Sequence, residues 1–289
     1  MKYYVLYNPF AGNNTSEAET KTISSVLSDH ELVFIDMTKL DNYESFFSSV
    51  EEDAEIVISG GDGTLNRFIN ETANINYSNN INYYATGSGN DFLRDIEKNK
   101  GEVVNINEYI RNLPIIDVNG KSYRVLNGVG YGIDGYCCEK GDEYRKIPGK
   151  KINYTAIAIK GLLFHYKPKN AVITVDGVRH EFKKVWLAPT MNGRFYGGGM
   201  LPTPNQTRDQ GETNISTLVY HNCGKLKALI IFPSIFKGEH IKHEKCCNVL
   251  TGKEIKVEFD KPTPLQIDGE TILGVTEYTM KINSLVTVK

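Results

Sequence analysis

The sequence predicts an α/β N-terminal nucleotide-binding domain with a parallel sheet, followed by a β-rich, antiparallel and sandwich-like domain. In the first third, short apolar runs alternate with stretches that carry apolar residues at helical spacing, which is typical of a parallel sheet covered by helices. Beyond about Asn112, strand-like runs are joined by Asn119-Gly120 and Asp176-Gly177, dipeptides that favour two-residue hairpin turns. We therefore expect two domains, residues 1–112 and 113–289.

The first domain is expected to contain parallel strands joined by helices. The predicted strands are Tyr3–Tyr7, Glu31–Ile35, Glu55–Ser59 and Asn82–Ala85. The predicted helices lie around Ser16–Ser28, Tyr43–Glu51 and Thr64–Asn74. Because strand–helix–strand crossovers are nearly always right-handed, this alternation favours a sheet whose strands all end at one edge.

The second domain is expected to be mostly antiparallel. Beside the two hairpins, the predicted strands are Lys184–Ala188, Thr213–Tyr220, Lys253–Phe259, Pro264–Ile267 and Glu277–Val288. Helical patterns interrupt them near Lys151–Phe164 and Lys225–Phe232.

Composition and charge narrow the classes of function. A net charge of −2 with a pI near 6.3 gives no general attraction to nucleic acid, so we expect no such partner. The most apolar window, Leu226–Phe236, is too short to span a bilayer, and the chain begins almost at once with a strand, so we expect a cytoplasmic protein. The five cysteines form no secreted disulfide pattern. The neighbouring His240, His243, Cys246 and Cys247 match no common zinc spacing, and we interpret them as surface histidines and buried thiols.

The most informative segment is Ser59–Asn66, which reads Ser-Gly-Gly-Asp-Gly-Thr-Leu-Asn directly after a predicted buried strand. Glycine lets a phosphate approach the backbone without meeting a Cβ, and the helix that follows supplies free N–H groups and the positive end of its dipole. Asp62 within this loop is suited to contact a phosphate-bound Mg²⁺ or to handle a proton. The pattern favours a nucleotide phosphate site; the alternatives are a tight turn and an Asp62 that only caps the helix.

Two further turns follow predicted strands in the same way. Asn8-Pro9-Phe10-Ala11-Gly12 comes after the first strand, and Thr86-Gly87-Ser88-Gly89-Asn90-Asp91 comes after the run that ends at Ala85. The carboxyl ends of parallel strands form the edge at which open α/β sheets bind ligands. The three turns are therefore expected to converge on one site.

Together these segments resemble the diacylglycerol kinase catalytic domain family, which includes bacterial lipid kinases, sphingosine kinases and ceramide kinases. Asn8–Gly12 is similar to its Asn-Pro-x-Ser-Gly motif with Ala11 in place of Ser, and Gly60–Asn66 matches Gly-Gly-Asp-Gly-Thr-x-Asn. Gly87–Asp91 is similar to Gly-Thr-x-Asn-Asp with Ser88 in place of Thr. Downstream, Tyr196–Met200 resembles the triple-glycine segment and Gln266–Glu270 the late Asp-Gly-Glu motif.

The resemblance implies an ATP-dependent lipid kinase, most simply one acting on diacylglycerol, with residues 1–112 as the ATP-binding catalytic domain, residues 113–289 as the lipid-substrate domain and the active site in the cleft between them. It implies ATP and Mg²⁺ as cofactors. The implied nucleotide-contacting residues are Asn8, Pro9, Phe10, Ala11, Gly12, Thr38, Gly60, Gly61, Asp62, Gly63, Thr64, Asn66 and Ser88. Asp62 and Glu270 are the implied catalytic residues, with Glu270 as general base.

Other motifs have a second interpretation that does not involve function. Asp268-Gly269 is also an ordinary hairpin turn, and Asn90-Asp91 is also ordinary helix-capping chemistry. In the family's cation-holding loop, Gln210 stands where an Asp is usual, so a metal site at Thr207, Gln210 and Glu212 is expected to be weak.

The resemblance also implies a lipid substrate at a membrane surface, reached by peripheral contact. The basic run Tyr144–Lys151 suits such contact, although it equally suits a solvated helix start. The sequence is also compatible with a homodimer. The alternative functions are a kinase for a soluble acceptor, similar to NAD kinases, and a non-catalytic nucleotide-binding regulator.

Overall fold

A computed structural model describes residues 1–9, 16–87, 89–147, 152–208 and 214–282. Its contacts divide the chain into two compact units, Met1–Asn112 and Leu113–Lys289.

The first unit alternates strands and helices. Its elements are β1 (Lys2–Tyr7), α1 (Ser16–Lys21), α2 (Ile23–Val26), β2 (Glu31–Asp36), a 3₁₀ turn (Met37–Lys39), α3 (Tyr43–Ser49), β3 (Glu55–Gly60), α4 (Asp62–Glu71), β4 (Ile81–Ala85), α5 (Asp91–Asp95), β5 (Val103–Asn105) and α6 (Asn107–Ile110). The sheet order is β2-β1-β3-β4-β5. The first four strands run parallel, as predicted, and β5 pairs antiparallel with β4. The sheet is therefore mixed and mostly parallel.

The helix expected over residues 16–28 is divided in two. The Thr22 hydroxyl donates to the Glu19 carbonyl (2.6 Å), and the Ser25 hydroxyl donates to the Thr22 carbonyl (2.7 Å). Such side-chain bonds compete with the helical ladder. The apolar spacing predicted the helical region correctly but not its interruption.

The second unit is antiparallel among its described residues, as predicted. Its elements are β6 (Ile115–Val118), β7 (Lys121–Arg124), β8 (Gly128–Tyr131), α7 (Ile133–Arg145), α8 (Tyr154–Lys160), a π-helical turn (Gly161–His165), β9 (Lys169–Val175), β10 (Val178–Val185), β11 (Thr190–Met191), β12 (Ile215–Tyr220), α9 (Lys225–Ile231), two 3₁₀ turns (Phe232–Lys237 and Glu239–Lys242), β13 (Cys247–Gly252), β14 (Glu254–Ile267) and β15 (Glu270–Lys281). The sheet order is β13-β12-β11-β8-β14-β15-β6-β7, and β9 joins β10 to β14.

Both predicted hairpin turns are present. Asn119 and Gly120 have φ values of 49° and 74°, and Asp176 and Gly177 have 48° and 83°, as a two-residue hairpin turn requires. The strand expected at Lys184–Ala188 is confirmed only in part, since β10 ends at Val185 and Leu187 forms isolated bridges to Gly132 and Tyr220.

The two strands expected at Lys253–Phe259 and Pro264–Ile267 form one long strand, β14, whose register shifts between Glu258 and Thr263. The first part of β14 pairs with β9 and its last part pairs with β8. Tyr131 of β8 stacks on Phe259, with ring centroids 4.0 Å apart. The bulge lets one strand serve two parts of the sheet, and its aromatic contacts fill the core there.

Two further expectations bear on function. His240, expected at the surface, is fully buried, with its Nε2 2.8 Å from the Pro202 carbonyl, whereas Cys246 and Cys247 are buried as expected. Within the described ranges, no helix is long and apolar enough to cross a membrane.

Candidate functional site

The first three motifs follow neighbouring parallel strands of the first unit. Asn8 follows β1, Gly61 follows β3 and Thr86 follows β4, while Thr38 lies just after β2. Since β1 pairs with both β2 and β3, the chain moves from β1 to one side of the sheet and then crosses to the other. This reversal is the topological switch point at which open α/β sheets bind ligands.

The second and third motifs are joined by backbone hydrogen bonds. The Gly60 carbonyl, at the end of β3, accepts the N–H of Thr86 (2.9 Å) and that of Gly87 (3.3 Å). It also accepts the buried Tyr83 hydroxyl (3.0 Å). One carbonyl oxygen therefore fixes the loop after β4 against the loop after β3.

The glycines of these loops differ in how much space surrounds the position of a Cβ atom. A Cβ built on Gly87 would lie 2.5 Å from the Cα of Gly61, and one on Gly60 would lie 2.5 Å from the Thr64 Cβ. A Cβ on Gly63 would meet no atom of the described residues within 4 Å. Close contacts within the fold account for Gly60, Gly61 and Gly87, whereas Gly63 makes no such contact with the described residues and leaves open space beside the start of α4.

Asp62 links the second motif to the third. Its carboxylate accepts the N–H of Asp91 (2.8 Å) and that of Phe92 (3.2 Å), which are the first N–H groups of α5. Sequence reasoning allowed Asp62 to cap the helix that it begins, but the structure shows it capping a different helix. The carboxylate is partly exposed and holds the third motif in place.

The remaining residues expected to contact the nucleotide lie in several parts of the first unit. The Thr38 hydroxyl donates to Asp36 Oδ1 (2.6 Å), which lowers the pKa of the Asp36 carboxyl. Asn66 is buried in α4, where its side-chain oxygen accepts the Asn70 amide (3.0 Å). Pro9 and Thr64 lie in described segments at the same sheet edge. Phe10, Ala11, Gly12 and Ser88 lie outside the described residues.

In the second unit, the late motif is a tight hairpin turn between β14 and β15. Asp268 and Gly269 have φ values of 46° and 97°. The Asp268 carboxylate accepts N–H groups from Leu126 (2.7 Å), Asn127 (2.7 Å) and Gly128 (3.0 Å). The Gln266 side-chain oxygen accepts the Gly269 N–H (2.6 Å). Glu270, the first residue of β15, is exposed at this firmly held turn.

Asp134 is a further candidate that sequence reasoning missed. It lies in the first turn of α7, and its Oδ2 accepts the Gln266 amide (2.9 Å). Burial raises the pKa of Asp134 to about 6. Gly130 is required here, because a Cβ at that position would collide with the Asp134 carboxylate. The alternation Gly128-x-Gly130-x-Gly132-x-Asp134 was the available signal, since glycines this close together mark tight backbone approach.

In the described part of the loop expected to bind a metal, the polar groups hydrogen-bond to each other. The Thr207 carbonyl accepts the Gln206 amide (3.1 Å), which also reaches the Asn214 carbonyl (2.6 Å), while Gln210 and Glu212 lie outside the described residues. Within the described ranges, no three His, Cys, Asp or Glu side chains cluster as metal ligands.

Comparisons with known proteins agree with this arrangement. Residues 2–118 match the model of the diacylglycerol kinase catalytic domain, and residues 127–284 match that of the YegS C-terminal NAD kinase beta sandwich-like domain. The chain is 26% identical over 218 residues to a "Putative lipid kinase" of Staphylococcus carnosus, covering 74% of this chain and 69% of that protein. It is also 26% identical over 211 residues to a diacylglycerol kinase of Mycobacterium tuberculosis, covering 70% and 66%.

A solved structure described as a "putative diacylglycerol kinase", from Bacillus anthracis, has the same fold. It superposes with a TM-score of 0.67 at 20% identity and covers 98% of this chain and 92% of that one.

The family models span both units, so the chain belongs to the diacylglycerol kinase catalytic domain family. Membership in this kinase family implies ATP as the phosphate donor. The predicted resemblance and fold class are confirmed.

Proposed function

We propose that the protein transfers the γ-phosphate of ATP to the hydroxyl of a membrane lipid, with diacylglycerol as acceptor and phosphatidic acid as product. The observation that supports this most is the interlocked pair of loops after β3 and β4, with Gly63 open at the start of α4. The choice of acceptor is supported by the Mycobacterium tuberculosis relative, which is a diacylglycerol kinase.

Gly63 is the proposed point of closest approach for the nucleotide phosphates. It lies in the first turn of α4, where backbone N–H groups have no partner in the helix and the helix dipole favours an anion. Gly63 is exposed, and no atom of the described residues would lie within 4 Å of a Cβ there, which leaves space for phosphate oxygens. Thr64 adds a hydroxyl in the same turn.

A magnesium ion would neutralise the charge that develops on the transferred phosphoryl group. The described residues fit such an ion only as part of a metal–nucleotide complex, because no cluster of protein ligands is present among them. Mg²⁺ commonly binds through one or two carboxylates and the substrate phosphates, and Asp62 is the carboxylate proposed for this role.

Glu270 is the proposed general base, which would take the proton from the lipid hydroxyl. Its carboxylate is exposed, whereas the turn that carries it is fixed by Asp268 and Gln266. A base must be held in place, because a small displacement from the reacting atoms costs much of the rate. Asp268 is thus a positioning residue in this proposal.

The second unit offers a surface suited to lipid. Phe164 of the π-helical turn and Leu226 and Ile230 of α9 are 72%, 71% and 70% exposed. The Lys225 ammonium bonds the Leu163 carbonyl (2.9 Å) and so joins these two elements. Exposed apolar side chains beside lysines favour contact with the headgroup region of an anionic membrane. We propose that this face makes the peripheral membrane contact.

The acceptor is tested by supplying radiolabelled ATP with either diacylglycerol vesicles, other lipid alcohols or NAD. Label in phosphatidic acid is the expected result. Label in NAD alone would favour the second candidate, a kinase for a soluble acceptor, which the similarity of residues 127–284 to an NAD kinase beta sandwich-like domain supports. No transfer to any acceptor by folded protein would contradict kinase activity and favour a nucleotide-binding regulator.

Two variants test the residues. Gly63→Val should weaken ATP binding about tenfold or more, because lost hydrogen bonds to a charged group carry that energy, while the melting temperature stays unchanged. Glu270→Gln should lower kcat about 10²–10⁴-fold with little effect on nucleotide affinity. Glu277→Gln, an exposed carboxylate on the same strand, is the matched control. If Glu270→Gln keeps the control's turnover, Glu270 is not the base.

A further inference from the structure

Arg208 contacts the same backbone segment that holds the turn before Glu270. Its Nη1 donates to the Leu126 carbonyl (2.6 Å), and its Nη2 donates to the side-chain oxygen of Asn127 (2.7 Å). Both acceptors belong to buried residues. Hydrogen bonds from a charged donor are roughly twice as strong as neutral ones, so Arg208 binds this segment firmly.

The peptide group between Leu126 and Asn127 lies between two opposite charges. Its carbonyl oxygen accepts the Arg208 guanidinium, while its N–H donates to Asp268 Oδ1 (2.7 Å). A cation on the oxygen and an anion on the N–H both polarise the peptide group, so each of these hydrogen bonds strengthens the other. The strength with which Asp268 binds this segment therefore depends on Arg208.

The segment also has neutral contacts with another part of the second unit. The Leu126 carbonyl accepts the Asn192 side-chain amide (2.9 Å), and the Asn127 carbonyl accepts the Asn192 backbone N–H (2.9 Å). These contacts do not involve the guanidinium. Loss of Arg208 is therefore expected to weaken the Asp268 contact without unfolding the segment.

Asp268 connects this segment to Glu270. Its carboxylate accepts the backbone N–H groups of residues 126–128, and its own N–H donates to the Gly128 carbonyl (3.1 Å). Glu270 follows two residues later as the first residue of β15. A displacement of residues 126–128 is therefore transmitted through Asp268 to the carboxylate of Glu270.

We propose that Arg208 is a positioning residue for Glu270 and acts through the Leu126–Asn127 peptide group and Asp268. The family resemblance gives Arg208 no role. The proposal rests on the proposed function, in which Glu270 is the general base, but the coupling between Arg208 and Asp268 is measurable without the reaction.

The geometry of this contact suits an arginine better than a lysine. The two Nη atoms of Arg208 reach a backbone oxygen and a side-chain oxygen at the same time, which the planar fork of a guanidinium allows. A lysine keeps the charge but carries it on one nitrogen atom. Arg208→Lys is therefore expected to keep part of the effect, whereas Arg208→Met, which keeps an unbranched apolar stem, should remove it.

A double-mutant cycle on stability tests the coupling through the peptide group. Urea unfolding of the full chain, followed by the fluorescence of Trp186, the single tryptophan, compares Arg208→Met, Asp268→Asn and the double variant. Because each contact strengthens the other, the urea midpoint of the double variant should fall by less than the sum of the two single losses. Strictly additive losses would refute the coupling and overturn the proposal.

Turnover with diacylglycerol vesicles at saturating ATP tests the positioning role. Arg208→Met should lower kcat by up to about 10²-fold, because a small displacement of a catalytic group has an effect of that size, and should leave the KM for ATP nearly unchanged. Arg208→Lys should fall between Arg208→Met and the wild type. Arg179→Met, at an exposed arginine of β10, is the matched control and should keep the wild-type kcat. A wild-type kcat in folded Arg208→Met would overturn the proposal.

A Glu270→Gln background separates positioning from a general effect on the fold. Adding Arg208→Met to Glu270→Gln should lower kcat little further, because no base is left to position. An equal fold-loss with and without Glu270→Gln would overturn the proposal. If Glu270→Gln alone keeps the wild-type turnover, the proposed base is wrong and the positioning role falls with it. A loss in Glu270→Gln combined with a wild-type kcat in Arg208→Met contradicts the role of Arg208 alone, so the two failures are distinguishable.

Discussion

Replacing Asp268 by asparagine tests how the turn before Glu270 is held. Oδ2 of Asp268 accepts the Leu126 N–H, and Oδ1 accepts the N–H groups of Asn127 and Gly128. Asparagine has nearly the same shape and tolerates the φ of 46° at this position. The substitution therefore leaves the turn unstrained and removes one acceptor oxygen and the charge.

The size of the expected loss of stability follows from the fact that both carboxylate oxygens of Asp268 accept hydrogen bonds. Whichever way the amide is turned, at least one of the three backbone N–H groups faces an NH₂ group. Leu126 and Asn127 are buried, so water cannot readily replace the lost acceptor. A buried donor left without a partner costs about 1–3 kcal/mol, and we expect the free energy of unfolding of the second unit to fall by that amount.

Asp176→Asn is the matched control. Asp176 occupies the same place in an Asp-Gly turn with a φ of 48°, but Oδ1 alone accepts both of its backbone N–H groups, from Lys253 (2.9 Å) and Glu254 (2.8 Å). The single oxygen of asparagine is sufficient there, so the change should stay within about 0.5 kcal/mol. Urea unfolding followed by Trp186 fluorescence measures both variants. Equal losses of unfolding free energy in Asp268→Asn and Asp176→Asn would refute the argument that Asp268 needs both of its carboxylate oxygens.

Three further outcomes are expected. Gly87→Ala should lower the melting temperature, at a cost of about 1–3 kcal/mol, because its Cβ would lie 2.5 Å from the Gly61 backbone; an unchanged melting temperature would contradict the close contact. Asp62→Asn should lower turnover, since each carboxylate oxygen holds one N–H group of α5; kinetic measurements at saturating ATP check this. The folded pKa of Asp134, about 6 against a usual 3.8, means that its protonated form stabilises the fold below about pH 4 and that this stability is lost as pH rises through 6. Asp134→Asn should therefore remove a fall of up to about 3 kcal/mol between pH 4 and 7, measured by urea unfolding across that range.

Local signals in the sequence predicted most of the first unit. A buried run such as Ile56–Ile58, followed by closely spaced glycines, defines a strand and a turn without reference to distant residues. The contact between Gly61 and Gly87 joins positions 26 residues apart, and no local pattern records it. For that reason the role of Gly60, Gly61 and Gly87 in loop packing could not be predicted from the sequence, whereas the expected contact of Gly60 and Gly61 with the nucleotide stays a prediction.

Helix α7 was missed for a related reason. It contains Gly135 and Gly141, which lower helix propensity by up to about 1 kcal/mol each. A Cβ on Gly135 would collide with the Pro264 carbonyl, and one on Gly141 would lie 2.7 Å from the Tyr154 hydroxyl. Close packing against β14 and α8 thus requires residues that weaken the local helical signal, and Asp134 was overlooked with the helix that carries it.

The acidic residues of the motifs act over long separations in the chain. Asp62 holds N–H groups about 30 residues further on, and Asp268 holds N–H groups about 140 residues earlier. A structural role and a functional role are therefore not alternatives for these two residues, because a loop that is held in place is a condition for positioning a substrate. It follows that a loss of turnover in Asp62→Asn or Asp268→Asn cannot by itself assign a chemical role to either carboxylate. Glu270 is different, because its side chain is exposed and the turn is held by its neighbours. Loss of turnover in Glu270→Gln, with the stability of the turn unchanged, is the result that would assign the base.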